Sequence, residues 1–113
     1  MKFKYFTRSE FDCQETGENK IPDAFIHRLD SLRGRCGFPF VVVSGYRSEK
    51  HSIEAAKDSP GEHTRAAADI RVANASQRYT LVREALDMGF AGIGVAKTFI
   101  HVDDRAIPAM WTY

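Results

Sequence analysis

The stretch GEHTRAAADIRV, from Gly61 to Val72, combines two potential metal ligands with a strand-like ending. His63 and Asp69 are six positions apart, with small residues between them, and aliphatic residues surround Asp69. Because side chains alternate between the two faces of a strand, Asp69 would lie on the face opposite Ile70. The pattern predicts a strand over Ala67–Val72 that presents one carboxylate away from the core.

A second stretch, FIHVDDR at Phe99–Arg105, has the same alternation. His101 and Asp103 would share one face, and the aliphatic residues between them would face the core. The segment GIGVAKTFIHVD predicts two short strands joined as a hairpin. Two neighbouring strands of this kind would bring His101, Asp103 and Asp69 to one point.

The remaining segments predict a mixture of helices and short strands. Helical spacing of apolar residues indicates an amphipathic helix from Pro22 to Cys36, ended by Gly37. The run FPFVVVSGY indicates a buried strand. Further predictions are a short helix at His51–Ala56, and a helix with Ser76 as N-cap, Val82, Ala85 and Leu86 on one face, and Gly89 at its end. We therefore expect an α+β fold with a small, mostly antiparallel sheet flanked by helices.

Composition restricts the possible classes of protein. A chain of 113 residues, 43% hydrophobic and 27% charged, is expected to form one globular domain over residues 1–113. The net charge of +1 gives no reason to expect nucleic acid as a partner, and no apolar run is long enough to cross a membrane. The N-terminus lacks the pattern of a signal peptide, which predicts a cytoplasmic protein as synthesised. Cys13 and Cys36 are expected to be reduced structural thiols.

The ligand types suggest one chemistry. A catalytic zinc site uses three protein ligands, from imidazole and carboxylate groups, and an open position for water. His63, Asp69 and His101 would supply that set. Spacing alone leaves open the alternative that the histidine in the apolar run is an ordinary core residue with hydrogen bonds.

The order of several motifs resembles a known family. The chain contains SGYRS, then HSIEA, GEHTRAAADI, GFAGIGV, FIHVDDR and a closing WTY. This series is similar to the zinc D-alanyl-D-alanine carboxypeptidase and cell-wall endopeptidase family, peptidase family M15, particularly its short bacterial and phage members. The resemblance covers nearly the whole chain and implies the hedgehog-like fold of the zinc DD-peptidases.

The resemblance also implies roles for individual residues. The metal ligands of the family fall on His63, Asp69 and His101, with Zn²⁺ as the cofactor. The arginine that binds the substrate carboxylate falls on Arg47, and a planar guanidinium suits that role because it can donate two parallel hydrogen bonds. His51 is close to Arg47 in sequence, and we expect it to border the same substrate pocket.

The first departure from the family pattern concerns the ligand loop. Relatives usually have seven positions between the first histidine and the aspartate, a serine where Gly61 stands, and a glycine in the turn where this chain has alanine. A residue lost from the loop does not change which face of the strand Asp69 occupies, so we expect the position of Asp69 to be preserved. His63 is therefore the ligand that these changes affect most.

The second departure concerns the general base. Relatives commonly carry an acidic residue or a histidine shortly before the second metal histidine, where this chain has Thr98 and Phe99. Asp103 is the nearest carboxylate that could act as the catalytic base, with Asp104 and Glu62 as substitutes. Equally, Asp103 could orient His101 without touching substrate.

These implications predict a zinc metallopeptidase that hydrolyses peptidoglycan stem peptides, with D-alanyl-D-alanine carboxypeptidase as the leading activity. The alternatives are an L-Ala-D-Glu endopeptidase of the phage endolysin type and a non-catalytic domain that binds metal or wall peptide. The expected partner is the stem peptide, and the expected oligomeric state is a monomer. Without a signal peptide, the protein would reach the cell wall through lysis. Trp111 and Tyr113 are expected to close the core or to rim the cleft.

Overall fold

The structure is a computed structural model that describes residues 3–47, 61 and 66–113. In these residues two helices and five strands occur, with a short 3₁₀ helix at Arg8–Phe11. The helices are α1 (Asp23–Cys36) and α2 (Ala75–Asp87), and the strands are β1 (Val42–Ser44), β2 (Ala67–Arg71), β3 (Gly92–Val95), β4 (Phe99–Asp103) and β5 (Ala109–Thr112). The predicted helix at His51–Ala56 lies outside the described residues.

The five strands form one sheet in the order β1-β2-β4-β3-β5. The pairs β1–β2, β2–β4 and β3–β4 are antiparallel, whereas β3 and β5 are parallel. The predicted α+β class with a mostly antiparallel sheet is thus confirmed, and the sheet is mixed because of β5. The predicted hairpin is also present as β3 and β4, with the Ala96 amide donating to the Phe99 carbonyl across the turn.

The hydrophobic core lies between one face of the sheet and the two helices. Helix α1 contributes four of its buried side chains to it: Phe25, Ile26, Leu29 and Leu32. The central strands contribute Ala68 and Ile70 from β2, Ile93 from β3, and Ile100 and Val102 from β4. Because side chains alternate along a strand, the residues between these positions on β2 and β4 face away from the helices.

Helix α1 begins and ends close to the predicted positions. Pro22 is the N-cap, and Gly37 ends the helix with a φ of 75°, a left-handed conformation that glycine adopts without steric cost. Its last residue, Cys36, is half-buried, and Cys13 is buried. Neither cysteine forms a disulfide. Burial, reinforced by the charge of Glu84 and opposed by nearby arginines, raises the pKa of the Cys36 thiol to about 11.

Two details of the predicted elements are wrong. The N-cap of α2 is Asn74, whose side chain accepts a hydrogen bond from the Gln77 amide at 2.9 Å, and Ser76 lies inside the helix. The buried face of α2 consists of Leu81 and Ala85, whereas Leu86 is 51% exposed. The helix therefore packs on the sheet along a slightly different stripe than the sequence indicates.

Strand β1 is less buried than predicted. It spans three residues, and Val41 and Val43 are both exposed. The reason is its position at the edge of the sheet, where only one neighbouring strand pairs with it. The run of valines predicts a strand at this position, but it does not specify which other strand pairs with β1.

Candidate active site

The pairing of β2 and β4 creates the site. Their antiparallel register places Asp69 opposite His101 and Ala67 opposite Asp103. Side chains directly opposite each other on neighbouring antiparallel strands have β-carbons about 5 Å apart. The two predicted ligands on strands therefore meet through backbone pairing, on the face of the sheet opposite the helices.

The His101 ring lies between two carboxylates. Its Nδ1 atom is 3.0 Å from Asp69 Oδ1, and its Nε2 atom is 2.6 Å from Asp103 Oδ2. His101 and Asp69 are only 4% and 5% exposed. Burial opposes protonation of His101, but the hydrogen bonds and charges of the two carboxylates outweigh it and raise the histidine pKa above 6.5.

Asp103 is fully buried, and its carboxylate accepts hydrogen bonds from Arg105 as well as from His101. Arg105 donates from its backbone amide to Oδ1 at 3.0 Å, from Nε to Oδ1 at 2.9 Å and from a terminal guanidinium nitrogen to Oδ2 at 2.7 Å. Burial would raise the pKa of the Asp103 carboxyl, but the hydrogen bonds from His101 and Arg105 lower it far below its usual 3.8. Both carboxylate oxygens are thus occupied as hydrogen-bond acceptors.

Two glycines of β3 make room for this cluster. A Cβ atom on Gly92 would lie 2.0 Å from the nearest Asp103 carboxylate oxygen. One on Gly94 would lie 2.7 Å from the indole nitrogen of Trp111. Both distances are far inside van der Waals contact, so the site requires glycine at these two positions of the neighbouring strand.

Trp111 forms one wall beside the histidine. Its ring centroid is 5.1 Å from that of His101, and the Arg105 guanidinium lies 4.4 Å from the Trp111 ring centroid. Tyr113 is mostly exposed and its ring contacts Phe99. Of the two alternatives for these aromatic residues, contact with the rim of the site is the one observed for Trp111.

The segment that carries Arg47 follows β1 and is anchored on the backbone of Phe11. Gly45 packs so closely against the backbone of Phe11 that an added Cβ would lie 2.6 Å away, and the Tyr46 amide donates to the Phe11 carbonyl. Ser44 at the end of β1 is the register partner of Asp69, and Arg47 follows three residues later. Arg47 thus lies three residues beyond the register partner of Asp69 along the chain.

The other predicted site residues are not all in the described part of the chain. His51, His63 and the substitute base Glu62 lie outside it. Asp104 forms an ion pair with Arg28 on α1, the helix that covers the opposite face of the sheet. Asp104 thus points toward the helix layer and not toward His101.

Sequence reasoning missed Arg105, Gly92 and Gly94. Arg105 continues the alternation of His101 and Asp103 by two more residues, and that spacing was a usable signal. The need for glycine in β3 could not be read from the sequence, because it depends on which strand pairs with β4.

The donor set at Asp69 and His101 suits zinc. An imidazole nitrogen and a carboxylate oxygen are both usual zinc ligands, and two ligands of one tetrahedral zinc lie roughly 3.4 Å apart given bond lengths of about 2.1 Å. The observed separation of 3.0 Å between Nδ1 and Oδ1 is close to that value. Within residues 3–47, 61 and 66–113, no group of three or more side chains forms a complete metal site. Of the three ligands that the family resemblance implies, Asp69 and His101 lie in the described residues and His63 lies outside them.

Comparison with known families agrees with this arrangement. A sequence model of the family described as Peptidase M15 matches residues 4–103. The chain belongs to peptidase family M15. Enzymes of this family are generally zinc-dependent. Among curated proteins, no sequence matches the chain.

The M15 match spans the whole sheet except β5 and includes Asp69 and His101, the two predicted ligands on strands. It ends at Asp103, so that Arg105 and Trp111 lie beyond the matched residues. In the described part of this M15 chain, neither helix has the length and apolar character to span a membrane.

Proposed function

We propose that this protein is a zinc peptidase that hydrolyses peptidoglycan stem peptides and releases terminal D-alanine. The observation that carries the proposal is the buried pair of Asp69 Oδ1 and His101 Nδ1, 3.0 Å apart, in a chain of family M15. His63 is proposed as the third ligand. Zinc, when bound by these three residues, would activate a water and polarise the scissile carbonyl.

The protein residues have separate tasks in this proposal. Asp69 and His101 are fixed by paired strands, which limits their movement when metal enters or leaves. Asp103 would accept a hydrogen bond from His101 Nε2–H, which leaves the Nδ1 lone pair facing Asp69. Arg47 would bind the free carboxylate of the substrate, and His51 would border the same pocket.

The assignment of the general base follows from the contacts of Asp103. Its oxygens already accept hydrogen bonds from His101 and Arg105, and its pKa is lowered, so it is a poor acceptor for a proton from water. These contacts favour the orienting role for Asp103. Because Asp104 pairs with Arg28 on the helix side, Glu62 is the carboxylate that we propose as the base.

A second candidate function is a non-catalytic domain that binds metal or wall peptide. It is favoured by the saturation of Asp103 and by the absence of a proton acceptor at Thr98 and Phe99, the positions where relatives commonly carry one. Cleavage of the L-Ala-D-Glu bond, as in phage endolysins, is the alternative within the enzyme class. The carboxypeptidase is preferred because Arg47 suits a free terminal carboxylate.

One experiment separates these functions. Purified protein loaded with zinc is incubated with a pentapeptide ending in D-Ala-D-Ala and, separately, with intact peptidoglycan, and the products are identified by mass spectrometry. Loss of one alanine supports the carboxypeptidase, and fragments ending at L-Ala support the endopeptidase. Binding of the peptide without any product would support the non-catalytic domain. Glu62→Gln serves as the companion variant, with an expected fall in rate of about 10² to 10⁴ at unchanged zinc content.

A further inference from the structure

We propose that Arg105 is a positioning residue of the site, which locks the Asp103 carboxylate in the orientation that holds the His101 ring. Arg105 would not touch substrate or metal. Its effect on zinc affinity rests on the proposed function, whereas its effect on the His101 ring does not.

The first support is the geometry of the contact. The Arg105 guanidinium approaches Asp103 side-on, with Nε 2.9 Å from Oδ1 and a terminal nitrogen 2.7 Å from Oδ2. Two parallel hydrogen bonds of this kind fix the plane of a carboxylate as well as its distance. The Arg105 backbone amide adds a third bond to Oδ1 at 3.0 Å. Rotation of the carboxylate away from His101 would break all three.

The second support is the way in which Arg105 is itself held. Its guanidinium lies 4.4 Å from the ring centroid of Trp111 on β5, a distance typical of a cation stacked on an aromatic face. Trp111 pairs in register with Gly94 of β3, and the missing side chain of that glycine leaves room for the indole. Strand β5 thereby fixes the plane of the arginine.

The third support comes from the opposite side of Asp103. Gly92 of β3 is its register partner, and the carboxylate occupies the space that a Cβ would fill. Asp103 is therefore confined between the backbone of β3 and the side chain of Arg105. A buried carboxylate with two fixed sides can present only one oxygen to His101 Nε2, and it does so at 2.6 Å.

The consequence for the ring is a defined tautomer when metal is bound. When Nε2–H donates its hydrogen bond to Asp103, the Nδ1 lone pair of the neutral ring faces Asp69. His101 must have this orientation if Nδ1 and Asp69 are to bind the same zinc ion. Strand β5 and Arg105 thus contribute to the site, although both lie outside the segment that the family model matches.

The test compares Arg105→Gln, Arg105→Lys and the control Arg83→Gln, an exposed arginine of α2. Zinc affinity is measured by competition with a chelator, and the His101 Nε2 proton is followed by ¹⁵N-edited NMR in the zinc-free and zinc-loaded protein. We expect Arg105→Gln to weaken zinc binding by roughly 10-fold or more and to shift or broaden the Nε2 proton signal. The control should change neither quantity.

The Lys variant covers the case in which Arg105→Gln does not fold. Lysine keeps the positive charge but cannot make the side-on pair, so Arg105→Lys should also move the Nε2 signal. A Lys variant with wild-type zinc affinity and a wild-type Nε2 proton would overturn the proposal.

Failure of this inference can be told apart from failure of the proposed function. If the wild-type protein binds no zinc, the proposed function fails, and the NMR signal of the zinc-free variants still decides the role of Arg105. If the wild type binds zinc and cleaves peptide but the Arg105 variants behave like it, only the positioning role fails. Gly92→Ala gives an independent check, because it displaces Asp103 while Arg105 stays in place, and it should shift the same Nε2 signal.

Discussion

The Asp103 carboxylate lies 2.6 Å from His101 Nε2, on the other side of the ring from Asp69. His101 therefore has one nitrogen for a structural hydrogen bond and one for the proposed metal. This division is the basis for separating variants that weaken metal binding from variants that remove a catalytic proton acceptor.

The first prediction concerns Asp103→Asn. Loss of the negative charge of Asp103 beside His101 Nε2 should lower the zinc affinity by roughly 10 to 100-fold, and excess zinc should restore most of the activity. The measurement is peptide hydrolysis at increasing zinc concentration. Asp104→Asn is the matched control, since its carboxylate pairs with Arg28 on the helix side. A rate that stays about 10² to 10⁴ lower at saturating zinc would instead make Asp103 the general base.

The second prediction concerns His101→Ala. A catalytic zinc site that loses one of three protein ligands rarely retains its metal, so we expect loss of most bound zinc and of all activity. Metal content is measured after dialysis by atomic emission. His27→Ala on α1, which removes a histidine that packs against Phe3, should leave zinc content unchanged. Full zinc content in the His101 variant would refute the metal assignment.

The third prediction concerns the pH dependence of zinc binding. In the metal-free protein His101 is protonated at and below its raised pKa, and zinc must displace the proton on Nδ1. Apparent zinc affinity should therefore rise as pH increases toward that pKa and level off above it. Proton release on zinc binding, measured by calorimetry in two buffers at pH 6, should include the proton that His101 loses from Nδ1. Zinc binding without any proton release at pH 6 would contradict the protonation of His101.

The fourth prediction concerns the stability of the metal-free protein. The raised pKa of His101 contributes stability that is fully present below about 6.5 and is lost as pH rises through the folded value. The lowered pKa of Asp103 contributes stability that is present above 3.8 and is lost as pH falls toward its folded value. The cluster should stabilise the metal-free protein most between about pH 4 and 6.5, as urea unfolding across pH would show. His101→Ala should flatten this dependence.

The fifth prediction concerns Arg47→Lys. Lysine offers a point charge without the two parallel donors of arginine, so preference for a free terminal carboxylate over an amide-capped peptide should fall. The measurement is kcat/KM for both peptides. Arg83→Lys on α2 serves as the control. If the Arg47 variant kept the full preference, another residue would have to bind the carboxylate.

Much of the site could be predicted from the sequence because it lies on strands. The alternation around Asp69 and His101 specifies which face each residue occupies, and the antiparallel pairing then brings them together. The sequence leaves the role of Asp103 open between general base and orienting residue, and its contacts with Arg105 favour the orienting role. Those contacts depend on the chain path after β4, which alternation does not specify.

Strand β5 shows where sequence reasoning stops. Its residues are mostly exposed, so it has no pattern of alternating burial that would indicate a strand. Its pairing with β3 is parallel, and the register places Trp111 beside Gly94, a relation that the sequence pattern does not specify. The N-cap of α2 was misplaced for a similar reason, since Asn74 and Ser76 are both good capping residues and only the structure shows which side chain accepts the amide hydrogen bond.

The state of the two thiols bears on the surroundings in which this protein could work. Cys13 is buried, and Cys36, with a pKa of about 11, carries almost no thiolate at neutral pH. Since the thiolate is the form that reacts with oxidants and soft metals, neither cysteine competes for zinc or readily forms a disulfide. The proposed activity on peptidoglycan would expose the protein to oxidising conditions outside the membrane. The packing at the end of α1 thus makes the fold tolerant of a change of redox compartment.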